Sequence, residues 1–308
     1  VTDDGPVTPS PLGFAAATAA SVVWGLGNVV VARTPLNGLA QATHRFWLGA
    51  LLYLAVLYAS GRRLRWASFR AGWLGGMMLA GDIGFFFVAV KHTTLADAAT
   101  IGALQPIVIL FVAGVLFGER VTRRHLACTA LALGGTAAVV LGSSGRAGAT
   151  SVLGDVFAVG SLLSWAGYFI VSKTARRQLD TLEYMAVIMV VGTAIIAPLA
   201  LATGELTGPT ARLTWSAFGW VVLIVLLPGS GHLLINWAHN HTTITTSSLL
   251  TLLIPVLSTA GGALWLSQRI DGVQAAGIGV VVVALAVVIL GDARAAAIER
   301  ATAEERLS

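Results

Sequence analysis

The sequence predicts an all-α membrane protein whose ten transmembrane helices form two five-helix repeats, the second inverted relative to the first. Three observations lead there. Hydrophobic residues make up 56% of the chain and charged residues only 11%, whereas an ordinary soluble domain is about one quarter charged; a water-soluble globule could not cover its surface with so few charges. Ten stretches reach or approach the ~20 apolar residues needed to cross a ~30 Å hydrocarbon core. Finally, a shift of 149 residues lays His92, Thr93, Thr94, Leu104, Pro106, Arg120 and Gly142 onto His241, Thr242, Thr243, Leu253, Pro255, Arg269 and Gly291 without a gap. Apolar residues match easily by chance; His-Thr-Thr, a proline and an arginine in register do not.

The expected spans follow in chain order. The first, Leu12 to Val31, follows a segment with Asp3 and Asp4 but no Lys or Arg, which lacks the basic region of a cleavable signal peptide; the span is expected to be retained. The second, Thr43 to Ala59, opens on His44 and Arg45, and Arg45 reads as an interfacial anchor. The third, Ala71 to Val90, carries Asp82 near its middle between Gly81 and Gly84. The turn after it, His92-Thr93-Thr94, offers threonines that can cap the next helix. The fourth, Ala96 to Phe117, contains Gln105 and Pro106. The fifth, His125 to Gly142, holds the single cysteine, Cys128, so neither a disulfide framework nor a cysteine-based metal site is available.

In the second half, the sixth span, Gly154 to Ser172, brings Trp165 and Tyr168, and a shift of 141 lays Trp24 on Trp165. The seventh, Glu183 to Thr203, is apolar. The eighth, Ser216 to Ala238, is interrupted by Pro228, Gly229, Ser230, Gly231 and His232 before Asn236 and Trp237. The ninth, Thr245 to Leu266, repeats the proline as Pro255 and adds Ser258. The tenth, Gly272 to Leu290, is too long and too free of alternation for a strand. The first repeat thus covers residues 12–142 and the second 154–291, leaving 1–11 and 292–308 as tails.

Basic residues orient the chain. With the N-terminus in the cytoplasm, that side receives Arg62, Arg63, Arg65, Arg70, Arg120, Arg123, Arg124, Lys173, Arg176, Arg177, Arg294, Arg300 and Arg306, and the other side receives Arg33, Arg45, Lys91, Arg146, Arg212 and Arg269. Thirteen against six accounts for all 19 basic residues and places both termini inside. Short clusters between apolar runs do not form a phosphate-binding face, so a nucleic-acid partner is not expected despite a formal charge of +5. Five helices per repeat is an odd number, which inverts the second copy. Inverted repeats recur in secondary transporters, because exchangeable halves give two mirror-related access states; some channels share them.

Asp82 and His232 form the expected central pair. An acidic residue at mid-membrane costs ~2.5 to 3.5 kcal/mol and should face the protein interior or water. Two readings are open: Asp82 binds a cationic solute group or exchanges a proton with His232 as hydrogen-bond partner, or it bonds backbone amides freed at a helix break. Matched Gly/Pro interruptions in the third and eighth spans point to this depth, where Ser230 also lies. Trp24, Asn28, Gln105, Trp165, Tyr168 and Asn236 could line a site for an amphipathic solute; packing or interfacial anchoring would explain the aromatic residues equally. Pro106, Pro255 and Pro228 are expected to bend or gate their helices. Glu119 and Arg120 read as solvent-screened partners of neighbouring loops.

The segment Gly81 to Thr122, GDIGFFFVAVKHTTLADAATIGALQPIVILFVAGVLFGERVT, resembles the signature of the EamA-type drug/metabolite transporter superfamily. The matching elements are Thr93 and Thr94, the central Pro106, and Gly118, Glu119 and Arg120. In the second half Ser267, Gln268 and Arg269 stand in the last three places, so the acidic member is lost. The resemblance implies a central cavity between the halves, lined largely by the third, fourth, eighth and ninth helices, and export of amino acids or related metabolites. No cofactor or metal is implied; the expected partners are a small-molecule solute, the lipid bilayer and, as a candidate coupling ion, protons. The expected location is the bacterial inner membrane.

Other classes fare worse. There is no HExxH motif, and Asp82 has no second intramembrane aspartate for an aspartyl protease. There is no GxxxxGK[ST] loop for a nucleotide-driven pump. A passive channel or facilitator is the remaining alternative.

Overall fold

A computed structural model describes residues 10–92, 101–143, 152–266 and 270–307. Among these residues all regular structure is helical. The first repeat supplies α1 (Pro11–Arg33), α2 (Gly38–Ala59), α3 (Trp66–His92), α4 (Gln105–Phe117) and α5 (Arg123–Ser143). The second supplies α6 (Val152–Ala175), α7 (Thr181–Ala202), α8 (Trp215–Leu226), α9 (Pro228–Ala238), α10 (Ile244–Leu250), α11 (Leu253–Leu266) and α12 (Gly272–Leu307), with a 3₁₀ turn at Pro209–Ala211. The turn residues Thr93 and Thr94, the first part of the expected fourth span, Arg146, and Ser267, Gln268 and Arg269 lie outside the described residues.

Local chemistry sets the helix ends. Ser10 accepts from the Gly13 amide ahead of Pro11, Asp180 accepts from Leu182 and Glu183 at the start of α7, and Thr214 caps α8; each satisfies an amide that the first turn leaves unpaired. Asn37 does the same for Ala40, so α2 begins at Gly38, ahead of the expected Thr43. This moves Arg45 two turns into the helix and removes it from the interfacial position. Gly118 closes α4 in the left-handed region, with φ of 64°, where a side chain would be strained.

The three prolines expected to bend or gate their spans lie in the first turns of helices, whereas Pro198 lies inside α7. Pro228 opens α9 directly after Leu227, so the expected eighth span becomes α8 and α9. Pro106 sits in the first turn of α4, and Pro255 in the first turn of α11, after a turn at Thr251 and Leu252 that separates it from α10. A proline lacks the amide that a helix interior needs but loses nothing in a first turn. α3, by contrast, runs unbroken through Gly81 and Gly84. Its glycines are packing points: a Cβ on Gly76 would strike Val191 and Ile188 of α7, and this contact offsets the ~1 kcal/mol a helical glycine costs.

The helix ends reproduce the repeat. A shift of 141 carries the start of α1 to that of α6, and a shift of 149 carries Trp66 to Trp215, Phe117 to Leu266 and Arg123 to Gly272. Corresponding helices also meet corresponding partners: α1 packs on α9 as α6 packs on α3, α1 on α11 as α6 on α4, while α2 meets α7 and α5 meets α12. The most extensive packings all join one repeat to the other. The main core draws on both repeats and contains Trp24, Phe46, Leu79, Tyr168, Phe169, Tyr184 and Ile235.

The outside is apolar. Trp215 is 90% exposed, Val115 85% and Phe111 79%, as expected where lipid rather than water covers the protein. Among the described residues, six segments are long and apolar enough to span a membrane: Pro11–Val31, Val152–Ala175, Thr181–Ala202, Trp215–Ala238, Ile244–Trp265 and Gly272–Ala295, with the shorter apolar Gln105–Phe117 beside them. The helices α2, α3 and α5 have 22, 27 and 21 residues but include the polar groups Arg45, Asp82 and His125.

Connections between helices fall into two sets. One joins the Ser10 amide to the His241 carbonyl at 2.9 Å, Lys173 to the Thr242 carbonyl at 3.0 Å and Arg62 to Asp180. The other joins Asn37 to the Glu205 and Thr210 carbonyls, His44 to the Ala211 carbonyl at 3.2 Å and Arg33 to the Trp265 carbonyl at 2.5 Å.

Candidate functional site

Polar and aromatic side chains converge where α1, α2, α3, α6 and α9 meet. On α6 the run Ser161, Ser164, Trp165, Tyr168 has the spacing of one helix face. Trp165 stacks on Tyr168 with ring centroids 5.5 Å apart and meets Trp24 edge-on at 5.3 Å. His232, entering from α9, lies 5.1 Å from Trp24 and 5.7 Å from Tyr168, both edge-on. Pro228 starts α9 one turn earlier, which lets His232 and Asn236 follow on successive turns of a short helix.

The hydrogen bonds run in one direction. Arg45 Nη2 lies 3.1 Å from His232 Nε2, and a guanidinium can only donate. His232 Nε2 therefore accepts, and its Nδ1, 3.3 Å from Tyr168 Oη, carries the proton and donates it. Tyr168 Oη also accepts from Asn236 Nδ2 at 2.6 Å, and the same amide donates to the His232 carbonyl at 2.7 Å. The imidazole is thus neutral and held by groups on α2, α6 and α9. Trp24 Nε1 and Asn236 Oδ1 are buried with no hydrogen-bond partner among the described residues, leaving one donor and one acceptor free at the centre.

Asp82 is placed differently from the expected pairing. Its carboxylate accepts from Ser161 Oγ at 2.6 Å, while the described hydrogen bonds of the His232 ring go to Arg45 and Tyr168. The link between the two runs through Arg45, whose guanidinium bonds His232 and lies within electrostatic reach of Asp82. Nor does Asp82 bond amides at a helix break, since α3 is continuous there. Arg45, read from the sequence as an anchor, is the basic residue of the site. The capping signal Asn37-Gly38 was the clue: it starts α2 early enough to carry Arg45 inward. Ser161 was also missed, although the Ser-x-x-Ser-Trp-x-x-Tyr face of α6 contains it.

Comparison of the repeats explains the asymmetry. The shift of 149 pairs Asp82 with Gly231 and Ile83 with His232. Gly231 lies directly under the Trp24 indole, where a Cβ would fall 2.6 Å from Nε1. At these paired positions α3 thus supplies Asp82 and α9 supplies His232 at adjacent levels, each facing an apolar or empty counterpart, and the first repeat adds Arg45 from α2.

The remaining sequence candidates lie elsewhere. Asn28, one turn beyond Trp24, is exposed and donates to Ser258 at 3.0 Å. Gln105 is buried at the α4–α10 contact, where Thr251 Oγ1 approaches its Oε1 at 3.5 Å. Ser230 returns its hydroxyl to the Leu227 carbonyl at 2.7 Å and serves the helix start. Asn236 connects the site to one end of the bundle: its carbonyl accepts from Arg176 Nε at 3.0 Å. Arg176 lies just past α6, and burial lowers its pKa to about 10, so it stays charged at neutral pH. A shallow groove of about 520 Å³ between α5 and α12 is lined by glycine, alanine, valine and leucine only; it offers a solute no polar side chain.

Comparison with known proteins adds the family. Among curated proteins none matches the sequence significantly. A solved structure described as "Crystal structure of protein" superposes with a TM-score of 0.76 at 22% identity, over 90% of this chain and 97% of that one; this likeness shows the fold alone. The profile of the EamA-like transporter family matches twice, over residues 11–141 and 152–290. These are the two repeats and most of the chain, which therefore belongs to the EamA-like transporter family of multi-pass membrane proteins.

Proposed function

We propose that the chain is a secondary-active transporter that exports amino acids or related small organic metabolites by alternating access through a central cavity, its ten spans forming two inverted repeats. The observation that carries this reading is the central cluster. It brings a guanidinium, a carboxylate, a neutral imidazole and stacked aromatic rings to one place, from helices of both repeats. A solute carboxylate suits the Arg45 fork, an ammonium group suits Asp82, and Trp24, Trp165 and Tyr168 suit an apolar side chain. Asp82 is the proposed site of a coupling proton. Ten spans are supported by the two sets of helix connections, each of which joins only loops separated by an even number of expected spans. With the basic-residue bias, this favours both termini in the cytoplasm of a bacterial inner membrane.

Counterflow in proteoliposomes tests the proposal, with amino acids, their amides and nucleosides as solutes. The wild-type protein should show saturable exchange of amino acids, lost on removal of the carboxylate. Asp82→Asn and Arg45→Gln should each lower counterflow at least tenfold while the purified protein stays monodisperse. Flux without saturation or exchange would favour a passive channel instead. Undiminished, still pH-driven uptake by Asp82→Asn would remove Asp82 from the mechanism.

A further inference from the structure

The second copy of the His-Thr-Thr motif, His241 to Thr243, lies outside the central cluster, in a densely bonded part of the bundle. Glu119, in the segment after α4, spans two elements. Its carboxylate accepts from the backbone amides of Ile244 and Thr245 at 2.6 and 3.0 Å, and it pairs with Lys173 of α6 at 3.1 Å. Both charged side chains are buried, 6% and 3% exposed, so the sequence-based reading of Glu119 as a solvent-screened partner does not hold. Lys173 also donates to the Thr242 carbonyl. Thr246 donates to Asp292 of α12 at 2.6 Å, and Asp292 in turn meets Arg124 and His125. The start of α10 is thus gripped from α4, α6 and α12 together.

This grip holds groups that water would otherwise solvate. Thr242 Oγ1, Thr245 Oγ1, Ser247 Oγ and both ring nitrogens of His239 are buried with no hydrogen-bond partner among the described residues. Closing this end leaves them unpaired, which opposes closure; opening it would hydrate them. An end whose lining prefers water stays shut only if something specific holds it. A buried ion pair is well suited to this, because losing either partner strands the other charge.

The repeat shows that the device exists once. Under the shifts that align the two halves, Gln268 takes the place of Glu119 and Ala32 that of Lys173, so neither charge recurs. On α1, toward the opposite end, the polar Asn28 is exposed. We infer that Glu119 and Lys173 form a latch that closes the bundle at the Ser10–His241 end, and that the replacement of its symmetry mates by Gln268 and Ala32 makes this the preferred closed end. The carbonyl of Asn236, whose amide belongs to the central cluster, accepts from Arg176 three residues beyond Lys173. A solute that moves α9 would therefore pull on the latch.

The latch rests on the alternating-access reading above and is tested without any solute. In a Cys128→Ser background, Ser247→Cys and, separately, Asn28→Cys report the two ends of the detergent-solubilised full chain through their rates of modification by a charged maleimide. Ser247 Oγ has no hydrogen-bond partner among the described residues, so the cysteine removes none of the described hydrogen bonds. Glu119→Gln should speed modification at position 247 at least tenfold and slow it at position 28. Lys173→Gln should do the same, and the double variant should exceed neither single one, because each removes the same pair. Unchanged rates at position 247, or rates that rise at both positions, would overturn the latch; the second result would mean that Glu119 holds the fold together. Reciprocal rates without counterflow of any solute would sink the transport reading and keep the latch, while counterflow with unchanged rates would do the reverse.

Discussion

Tyr168 Oη accepts two hydrogen bonds at the centre of the bundle, from His232 Nδ1 and Asn236 Nδ2. Replacing it with phenylalanine keeps the ring stack on Trp165 but strands two buried donors, at about 1 to 3 kcal/mol each. Tyr168→Phe should therefore lower the unfolding temperature in detergent and weaken solute binding at least tenfold, read by a binding isotherm on the purified protein. Binding and stability equal to wild type would show that the imidazole is not oriented through Tyr168. Tyr168, His232 and Asn236 were legible in the sequence because polar groups in apolar helices need partners. Arg45 was not, because its reading depended on a helix start five residues too late, and a basic residue at a span's edge looks like an anchor. Glu119 failed for a related reason: sequence places it near water, and only tertiary packing buries it.

At the scale of elements, glycines decide where helices touch. Gly135 of α5 and Gly277 of α12 face one another so closely that a Cβ on Gly277 would fall 2.6 Å from the Gly135 carbonyl oxygen, whereas one on Gly134 would meet nothing within 4 Å. Small residues of this kind let membrane helices pack backbone to backbone. Gly277→Val should destabilise the protein by roughly 1 to 3 kcal/mol through overpacking, while Gly134→Ala should be neutral or stabilising by up to about 1 kcal/mol. Thermal unfolding of the two variants in one detergent checks the contrast, and equal behaviour would contradict the α5–α12 contact. Nothing in the sequence separates these adjacent glycines, since both fit an apolar span. Helix breaks were partly legible: Pro228, Pro106 and Pro255 announced disruption, but whether a proline bends a helix or starts a new one depends on whether the preceding turn can end, as it does at Leu227 and at Thr251.

For the whole molecule, the repeat was the most legible feature, because matched polar residues survive in register where apolar ones carry no signal. What sequence could not show is how completely the repeats pack against each other. The main surfaces of α1, α2, α3 and α5 are buried against α9, α7, α6 and α12 of the other repeat, whereas neighbours within the first repeat, such as α2 and α3, touch little. A single repeat would therefore expose Phe46, Leu79 and Ile109, each no more than 1% exposed in the whole chain, together with the unpaired Arg45 and Asp82. In lipid such polar groups have no water to turn to. Expressed alone, residues 1–147 or residues 148–308 should fail to accumulate as a monodisperse species. Expressed together as two chains they should co-purify and regain the counterflow of the intact protein, because the contacts that define each half are supplied by the other. A first repeat that is stable and monodisperse by itself would contradict this interleaved core, and would assign the central cluster's assembly to a later docking step between two preformed halves.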